Sequence, residues 1–109
     1  MDIKEFVYVA FSKYVVALDR TTGRIVWQWE IPKGKHYPAM LVDGALLFVS
    51  AMGYTFCLNA YTGALLWQNN LEGLGTGVAC IATVNGNTTP SQAAHYFTQK
   101  QKSHQQPAT

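Results

Sequence analysis

Residues whose side chains could catalyse a reaction or bind a metal are few in this 109-residue chain, and they lie far apart in its sequence. Cys57 and Cys80 are 23 positions apart, with no CxxC pair and no histidine at ligand spacing, so the sequence predicts no zinc site. We interpret both cysteines as small hydrophobic residues buried in strands. No Ser-His-Asp arrangement is visible, because His36 falls in a predicted loop and the other histidines fall in a polar tail.

The acidic residues form no cluster that could act as an acid–base pair or hold a cation, since Glu30, Asp43 and Glu72 fall at predicted strand ends or turns. One loop does combine side chains that bind small polar ligands. It offers two cations, an imidazole and a phenol, and its candidate ligand rim consists of Lys33, Lys35, His36 and Tyr37. A solvated turn is the simpler interpretation of this loop, and we favour it.

The composition predicts a globular domain with few surface charges. Hydrophobic residues make up 49% of the chain and charged residues 13%, whereas ~25% charged residues is usual. The formal charge of +2 comes from Lys100 and Lys102, so no basic stripe exists to bind a nucleic acid. No apolar run reaches the ~18 residues that span a membrane, and the N-terminus lacks the features of a signal peptide, which predicts a cytoplasmic protein.

An internal repeat of 40 residues organises most of the chain. Residues 7–28 align with residues 47–68 without a gap, and a shorter match of LVDG at 41–44 with TVNG at 83–86 extends the pattern at a spacing of 42. The identical positions of the longer match are, in its first copy, Val9, Tyr14, Leu18, Thr22, Gly23, Trp27 and Gln28. A Thr-Gly-x-x-x-Trp-Gln sequence that occurs twice in register indicates a duplicated structural unit.

Each repeat predicts short strands separated by turns at intervals of about ten residues. We predict eight strands and no helix, with the sequences EFVYVAF, YVVALD, RIVWQWEI, PAMLVDG, ALLFVSA, YTFCLNA, ALLWQNNL and GVACIATVNG. Asp43-Gly44 and Asn85-Gly86 are predicted to form two-residue type I′ hairpin turns. Several strands are apolar along nearly their whole length, which is typical of sheets buried on both faces, as in the stacked blades of a propeller.

Residues 17–27 resemble the tryptophan-docking motif, A-x-D-x-x-T-G-x-x-x-W, of the pyrroloquinoline-quinone-type β-propeller repeats. The motif residues are Ala17, Asp19, Thr22, Gly23 and Trp27 in the first copy, and Cys57, Asn59, Thr62, Gly63 and Trp67 in the second. The resemblance covers about residues 6–86 and implies an all-β fold of four-stranded blades. It also implies that each tryptophan is buried as a wedge between neighbouring blades, with Ala17 and Cys57 kept small to make room.

In this family a blade contains strands A to D from the inside outwards, with the motif between C and D. The chain then reads B-C-D in repeat 1 (about 6–31), A-B-C-D in repeat 2 (about 38–71) and a lone A strand (about 77–86). One protomer's end complements the next protomer's beginning, which predicts a head-to-tail homo-oligomer that completes a propeller, with a tetramer favoured and a trimer next. Residues 1–86 would form this domain and residues 87–109 a disordered polar tail. A gene fragment with an out-of-frame tail is the alternative.

The resemblance specifies an architecture and leaves the function open. Quinoprotein dehydrogenases of the family hold quinone and calcium with carboxylates, an Asn, an Arg and a vicinal disulfide, a set that this sequence does not show, so we predict no cofactor and no enzymatic activity. The favoured function is a non-catalytic scaffold or interaction module whose partner is itself or another protein. A carbohydrate- or small-ligand-binding propeller is the alternative, and a remnant of a dehydrogenase is less favoured.

Overall fold

The computed structural model describes residues 5–33, 38–75, 77 and 79–87. Nine strands occur in these ranges. They are β1 Phe6–Phe11, β2 Tyr14–Asp19, β3 Ile25–Glu30, β4 Ala39–Asp43, β5 Leu46–Ala51, β6 Tyr54–Asn59, β7 Leu65–Asn69, β8 Ala82–Thr83 and β9 Gly86–Asn87. No helix in the same ranges is long and apolar enough to cross a membrane.

Within each sheet, consecutive strands pair in antiparallel fashion, because short turns join them. The first sheet has the order β1-β2-β3, the second has the order β4-β5-β6-β7, and β8 and β9 form a small third sheet. The 40-residue repeat reappears in the register, since the bulge after Ala17 between β2 and β3 recurs after Cys57 between β6 and β7. The predicted all-β fold, with units of three and four strands, is confirmed.

The core lies between the two large sheets, which pack face to face. Side chains alternate across each strand, so odd-numbered positions of β2 and β3 face the core from one side and even-numbered positions of β6 face it from the other. The buried core residues are Val15, Ala17, Trp27, Ile31, Leu47, Val49, Ala51, Phe56, Leu58 and Ala60. Trp29 and Phe56 join the sheets through an edge-to-face contact with ring centroids 5.1 Å apart.

The faces that point away from this core are partly open. On the first sheet, Phe11 is 57% exposed, and on the second, Trp67 is 47% exposed. The apolar strands predicted burial on both faces. Within the described ranges, each large sheet packs against one other large sheet, and burial is extensive on the facing sides. On the other side of the second sheet, Cys57 and Ser50 are buried as well, whereas Trp67 is not.

The two predicted hairpins form, but their turns are one position away from the prediction. Pairing of Asp43 with Leu46 places Gly44-Ala45 at the centre of the β4–β5 turn, and pairing of Thr83 with Gly86 leaves Val84 and Asn85 between β8 and β9. Gly44 has a φ of 59° while Ala45 has no positive φ. A single positive φ at the first central residue fits a type II′ turn, so the predicted type I′ geometry is wrong there.

The last predicted strand is much shorter than residues 77–86. Only Ala82–Thr83 pairs, and it pairs with the equally short Gly86–Asn87, because the described residues offer it no longer partner. Cys80 is exposed and precedes this strand, so of the two cysteines only Cys57 is buried in a strand as predicted. The polar tail is predicted to begin at Asn87, but Asn87 lies in β9. Residues 88–109 of the predicted tail lie outside the described residues.

The third sheet lies beside the end of β4. The side-chain amide Nδ2 of Asn85 donates a hydrogen bond to Oδ1 of Asp43 over 2.9 Å. These residues are equivalent in the LVDG/TVNG match, so corresponding turns of successive repeats are neighbours in the fold.

Candidate interaction site

The turns that follow β2 and β6 have the same internal geometry. In the first turn, the backbone N–H groups of Thr21 and Thr22 donate to Oδ1 of Asp19 over 2.7 and 3.0 Å. In the second turn, the N–H groups of Tyr61 and Thr62 donate to Oδ1 of Asn59 over 2.8 and 3.2 Å. A short polar side chain therefore orders each turn, whether it is a carboxylate or an amide.

Each of these turns closes on a glycine. Gly23 has a φ of 76° and Gly63 a φ of 80°, and each N–H donates over 2.8 Å to the backbone carbonyl four residues earlier. Positive φ disfavours side chains with a Cβ, which explains why glycine occupies both positions. The predicted pairs Asp19/Asn59, Thr22/Thr62 and Gly23/Gly63 are thus equivalent in structure as well as in sequence.

Asp19 differs from Asn59 in carrying a charge. The backbone hydrogen bonds from Thr22 and Thr21 hold the pKa of the Asp19 carboxyl below its usual value of 3.8, with a smaller contribution from the positive charge of Arg24. The ionised carboxylate is therefore the form that the folded turn favours.

Trp27 is the side chain that joins the first sheet to the second turn. It is 9% exposed, and its indole Nε1 donates to the backbone carbonyl of Ala60 over 3.1 Å. A Cβ on Gly63 would lie only 2.5 Å from Cε3 of the indole, so the ring occupies the space that glycine leaves. Gly63 is therefore required both for its positive φ and for this close approach.

Tyr8 reaches the same carbonyl from β1. Its hydroxyl donates to the Ala60 oxygen over 2.7 Å, and its ring centroid lies 6.0 Å from that of Trp27. Burial raises the pKa of Tyr8 to about 12, and repulsion from an ionised Tyr61 adds to the effect, so the hydroxyl remains a donor into the alkaline range. The sequence pattern did not point to Tyr8 or Ala60; the only signal was that Tyr8 aligns with the aromatic Phe48.

Trp67 has the equivalent position in the second sheet but a different environment. It pairs with Cys57 as Trp27 pairs with Ala17, yet it is 47% exposed. Within this chain, Trp27 is buried between sheets, as the sequence predicts for both tryptophans. A wedge role for Trp67 stays a prediction. Burial raises the pKa of the Cys57 thiol, which keeps it a neutral, hydrophobic group.

The open face of the first sheet forms an apolar groove of about 350 Å³. Its hydrophobic lining consists of Val9, Phe11, Tyr14, Val16, Leu18 and Ile25. Adding 40 to these numbers gives Val49, Ala51, Tyr54, Phe56, Leu58 and Leu65 on the second sheet. Of that second set, four residues are fully buried beneath the first sheet: Val49, Ala51, Phe56 and Leu58. The groove is therefore the uncovered equivalent of a surface that is covered elsewhere in the same chain.

Of the predicted ligand rim, the structure describes Lys33 alone. Its Nζ lies 5.7 Å from the ring centroid of Tyr54, in a polar groove of about 630 Å³ that Asn70 and Glu72 also line. Lys35, His36 and Tyr37 lie outside the described residues. Across the described ranges, no group of three or more His, Cys, Asp or Glu side chains could hold a metal ion.

The repeated turn, the tryptophan and the stacked sheets correspond to a known family. The family model described as outer membrane protein assembly factor BamB matches residues 12–102 of the chain. This chain belongs to that BamB-like family of PQQ-type repeats. The predicted resemblance is therefore confirmed.

Comparison with solved structures agrees with the BamB-like assignment. The crystal structure of BamB from Moraxella catarrhalis is similar to the chain, with a TM-score of 0.51 and 26% sequence identity. The similarity covers 60% of this chain and 20% of that one, so the chain spans about a fifth of the length of this relative. No curated protein matches the sequence.

Replacing Gly63 with alanine tests whether the turn and Trp27 depend on each other. We expect Gly63→Ala to lower the free energy of unfolding by about 2–4 kcal/mol, because the Cβ adds a collision with the indole to the strain of positive φ. Gly44→Ala is the matched control, since Gly44 also has positive φ but its Cβ would meet nothing within 4 Å. Urea denaturation of both variants measures the difference. Equal losses would show that the contact with Trp27 contributes nothing.

The turn charge predicts a pH dependence of stability. The pKa of Asp19 in the folded chain lies below its usual value of 3.8. The ionised carboxylate therefore contributes fully to stability above pH 3.8, and this contribution is lost as the pH falls through the pKa of the folded state. Asp19→Asn keeps the acceptor oxygen, as Asn59 shows, and removes this titration. In urea denaturation from neutral to acid pH, the wild-type chain should lose stability more steeply than the variant. Parallel curves would contradict the assigned pKa shift.

Proposed function

We propose that this chain is a non-catalytic protein-interaction module that contributes blades to a β-propeller. Its membership of a family described as an assembly factor supports protein binding over catalysis. The proposal depends above all on one observation, the apolar side chains exposed on the outer faces of both large sheets, such as Phe11 and Trp67. Contiguous exposed apolar surface is typical of sites that bind another protein.

The partner that we propose is another copy of the chain, arranged head to tail. The outer face of the first sheet differs from that of the second, so a contact between them is heterologous and repeats until a ring closes. Propellers close with about four to eight blades, and two blades from each chain then favour a tetramer, with a trimer next.

The cellular location is a separate proposal. The cytoplasmic location expected from the sequence remains a prediction, while the description of the matching family refers to the assembly of outer membrane proteins. Fractionation of cells that express the tagged full chain would decide between these compartments.

Light scattering coupled to size-exclusion chromatography tests the proposed self-association. At micromolar concentration we expect a mass three or four times the 12.1 kDa of one chain. Phe11→Ser should lower that mass because it places a hydroxyl in the apolar groove, whereas Val84→Ser should not, since Val84 is fully exposed in the β8–β9 turn. A folded wild-type monomer throughout the micromolar range would exclude the proposal.

A further inference from the structure

We propose that two copies join by repeating the contact that Trp27 makes inside one copy, with Trp67 of one chain seated on the Asp19–Gly23 turn of the next. This inference rests on the proposed self-association. It adds the residues that meet and the direction in which the chains join.

Trp67, the side chain that would dock, is already oriented for this contact on the second sheet. Trp67 packs against Phe48 with ring centroids 6.2 Å apart and planes at 46°. The equivalent pair in the first sheet, Trp27 and Tyr8, has values of 6.0 Å and 48°. The orientation of the second indole therefore matches that of the first, although Trp67 is 47% exposed and Trp27 is 9% exposed.

The turn that would receive Trp67, Asp19–Gly23, also has the required conformation already. The Asp19–Gly23 turn has the hydrogen bonds and the glycine φ of the Asn59–Gly63 turn. A Cβ on Gly23 would meet nothing within 4 Å, whereas a Cβ on Gly63 would strike the Trp27 ring. The space that an indole fills at the second turn is thus open at the first.

The hydrogen-bond acceptor for the indole has an equivalent as well. The carbonyl of Ala60 accepts from Trp27, and the residue 40 positions earlier is Arg20. The two backbones run alike, since the N–H of Ala60 donates to the carbonyl of Ala45 and that of Arg20 donates to the carbonyl of Glu5. In the proposed junction, Nε1 of Trp67 donates to the Arg20 carbonyl of the next copy.

The apolar groove beside this turn gives the docking copy a surface to cover. Val9, Val16 and Leu18 line it, and their equivalents Val49, Phe56 and Leu58 are fully buried by the first sheet of the same chain. A second copy that seats Trp67 on the turn would lay its second sheet over this groove. A second copy is the favoured occupant because the chain itself already forms one complete example of this interface.

The junction between copies should be weaker than the contact within a copy. The outer face of the second sheet carries Thr55 and Asn69 where the inner face of the first carries Val15 and Trp29. Polar groups lower the apolar area that docking removes from water. We therefore expect the assembly to dissociate on dilution while each chain stays folded.

Blocking each side of the junction separately tests the contact. Trp67→Ala removes the indole that docks, and Gly23→Ala puts a Cβ into the space on the turn that the indole would fill. Each substitution should raise the dissociation constant of the assembly by at least about tenfold. The measured mass should then fall towards the 12.1 kDa of one chain. Gly44→Ala is the matched control, because it adds a Cβ at positive φ in open space and should leave the mass of the assembly unchanged. Circular dichroism checks that each variant is folded. Gly23→Asn replaces Gly23→Ala if the alanine variant unfolds, since asparagine tolerates positive φ.

Mixing the two blocked variants tests the direction of docking. The Trp67→Ala variant keeps an intact Asp19–Gly23 turn, and the Gly23→Ala variant keeps an intact Trp67. If the contact is head to tail, Trp67 of the second variant can dock on the turn of the first, and no further junction can form. An equimolar mixture should form a one-to-one heterodimer with twice the 12.1 kDa mass of one chain.

Three results would overturn the inference. If both variants retain the wild-type mass, the copies self-associate through another surface, and the proposed function stands while this contact is wrong. If the variants dissociate but their mixture remains monomeric, the contact is not head to tail. If the wild-type chain itself is a folded monomer, the proposed self-association fails, and the open faces would instead receive a different protein.

Discussion

The burial of one indole between two sheets is the interaction on which the rest of this structure depends. The Ala60 carbonyl accepts hydrogen bonds from both Trp27 and Tyr8, so one backbone oxygen of the turn after β6 holds two strands of the first sheet. That oxygen is correctly placed because Asn59 and Gly63 order the turn on either side of it. Glycine is needed at position 63, since any Cβ there would collide with the indole. The motif residues are therefore linked by one packing requirement.

Local sequence, rather than the presence of a neighbouring indole, sets the shape of the turn. The turn at 19–23 has no indole within 4 Å of its glycine Cβ position, and the turn at 59–63 does, yet their hydrogen bonds and glycine φ values agree closely. The oxygen of Asp19 or Asn59 and the conformational freedom of glycine are sufficient to form it. A receptor surface that needs no rearrangement loses little conformational entropy when it binds. This preformed state makes the first turn suited to receive a partner.

The same duplication explains why the chain combines a stable core with open apolar faces. Each sheet is apolar on both sides, and two large sheets in contact can cover only one side of each. What remains exposed is an apolar groove on the first sheet and, on the second sheet, the side chain of Trp67. The similarity covers about a fifth of the BamB chain that this chain resembles.

The sequence by itself determined the repeat, the strand segments of the two large sheets and the chemistry of both turns. These features depend on contacts between residues close in the chain, and alternation, turn residues and the 40-residue spacing report such contacts directly. The residue types did not determine which two residues form the centre of the β4–β5 turn, because an Asp-Gly sequence is compatible with both type I′ and type II′ turns. The pairing of Asp43 with Leu46 places Gly44 and Ala45 at the centre. Only the tertiary structure decided that Trp27 is buried while Trp67 is half exposed, and that Ala60 supplies the shared acceptor. The two tryptophans lie in the same Thr-Gly-x-x-x-Trp-Gln pattern. Their difference in exposure comes from whether a second sheet lies over them, which depends on packing between distant segments.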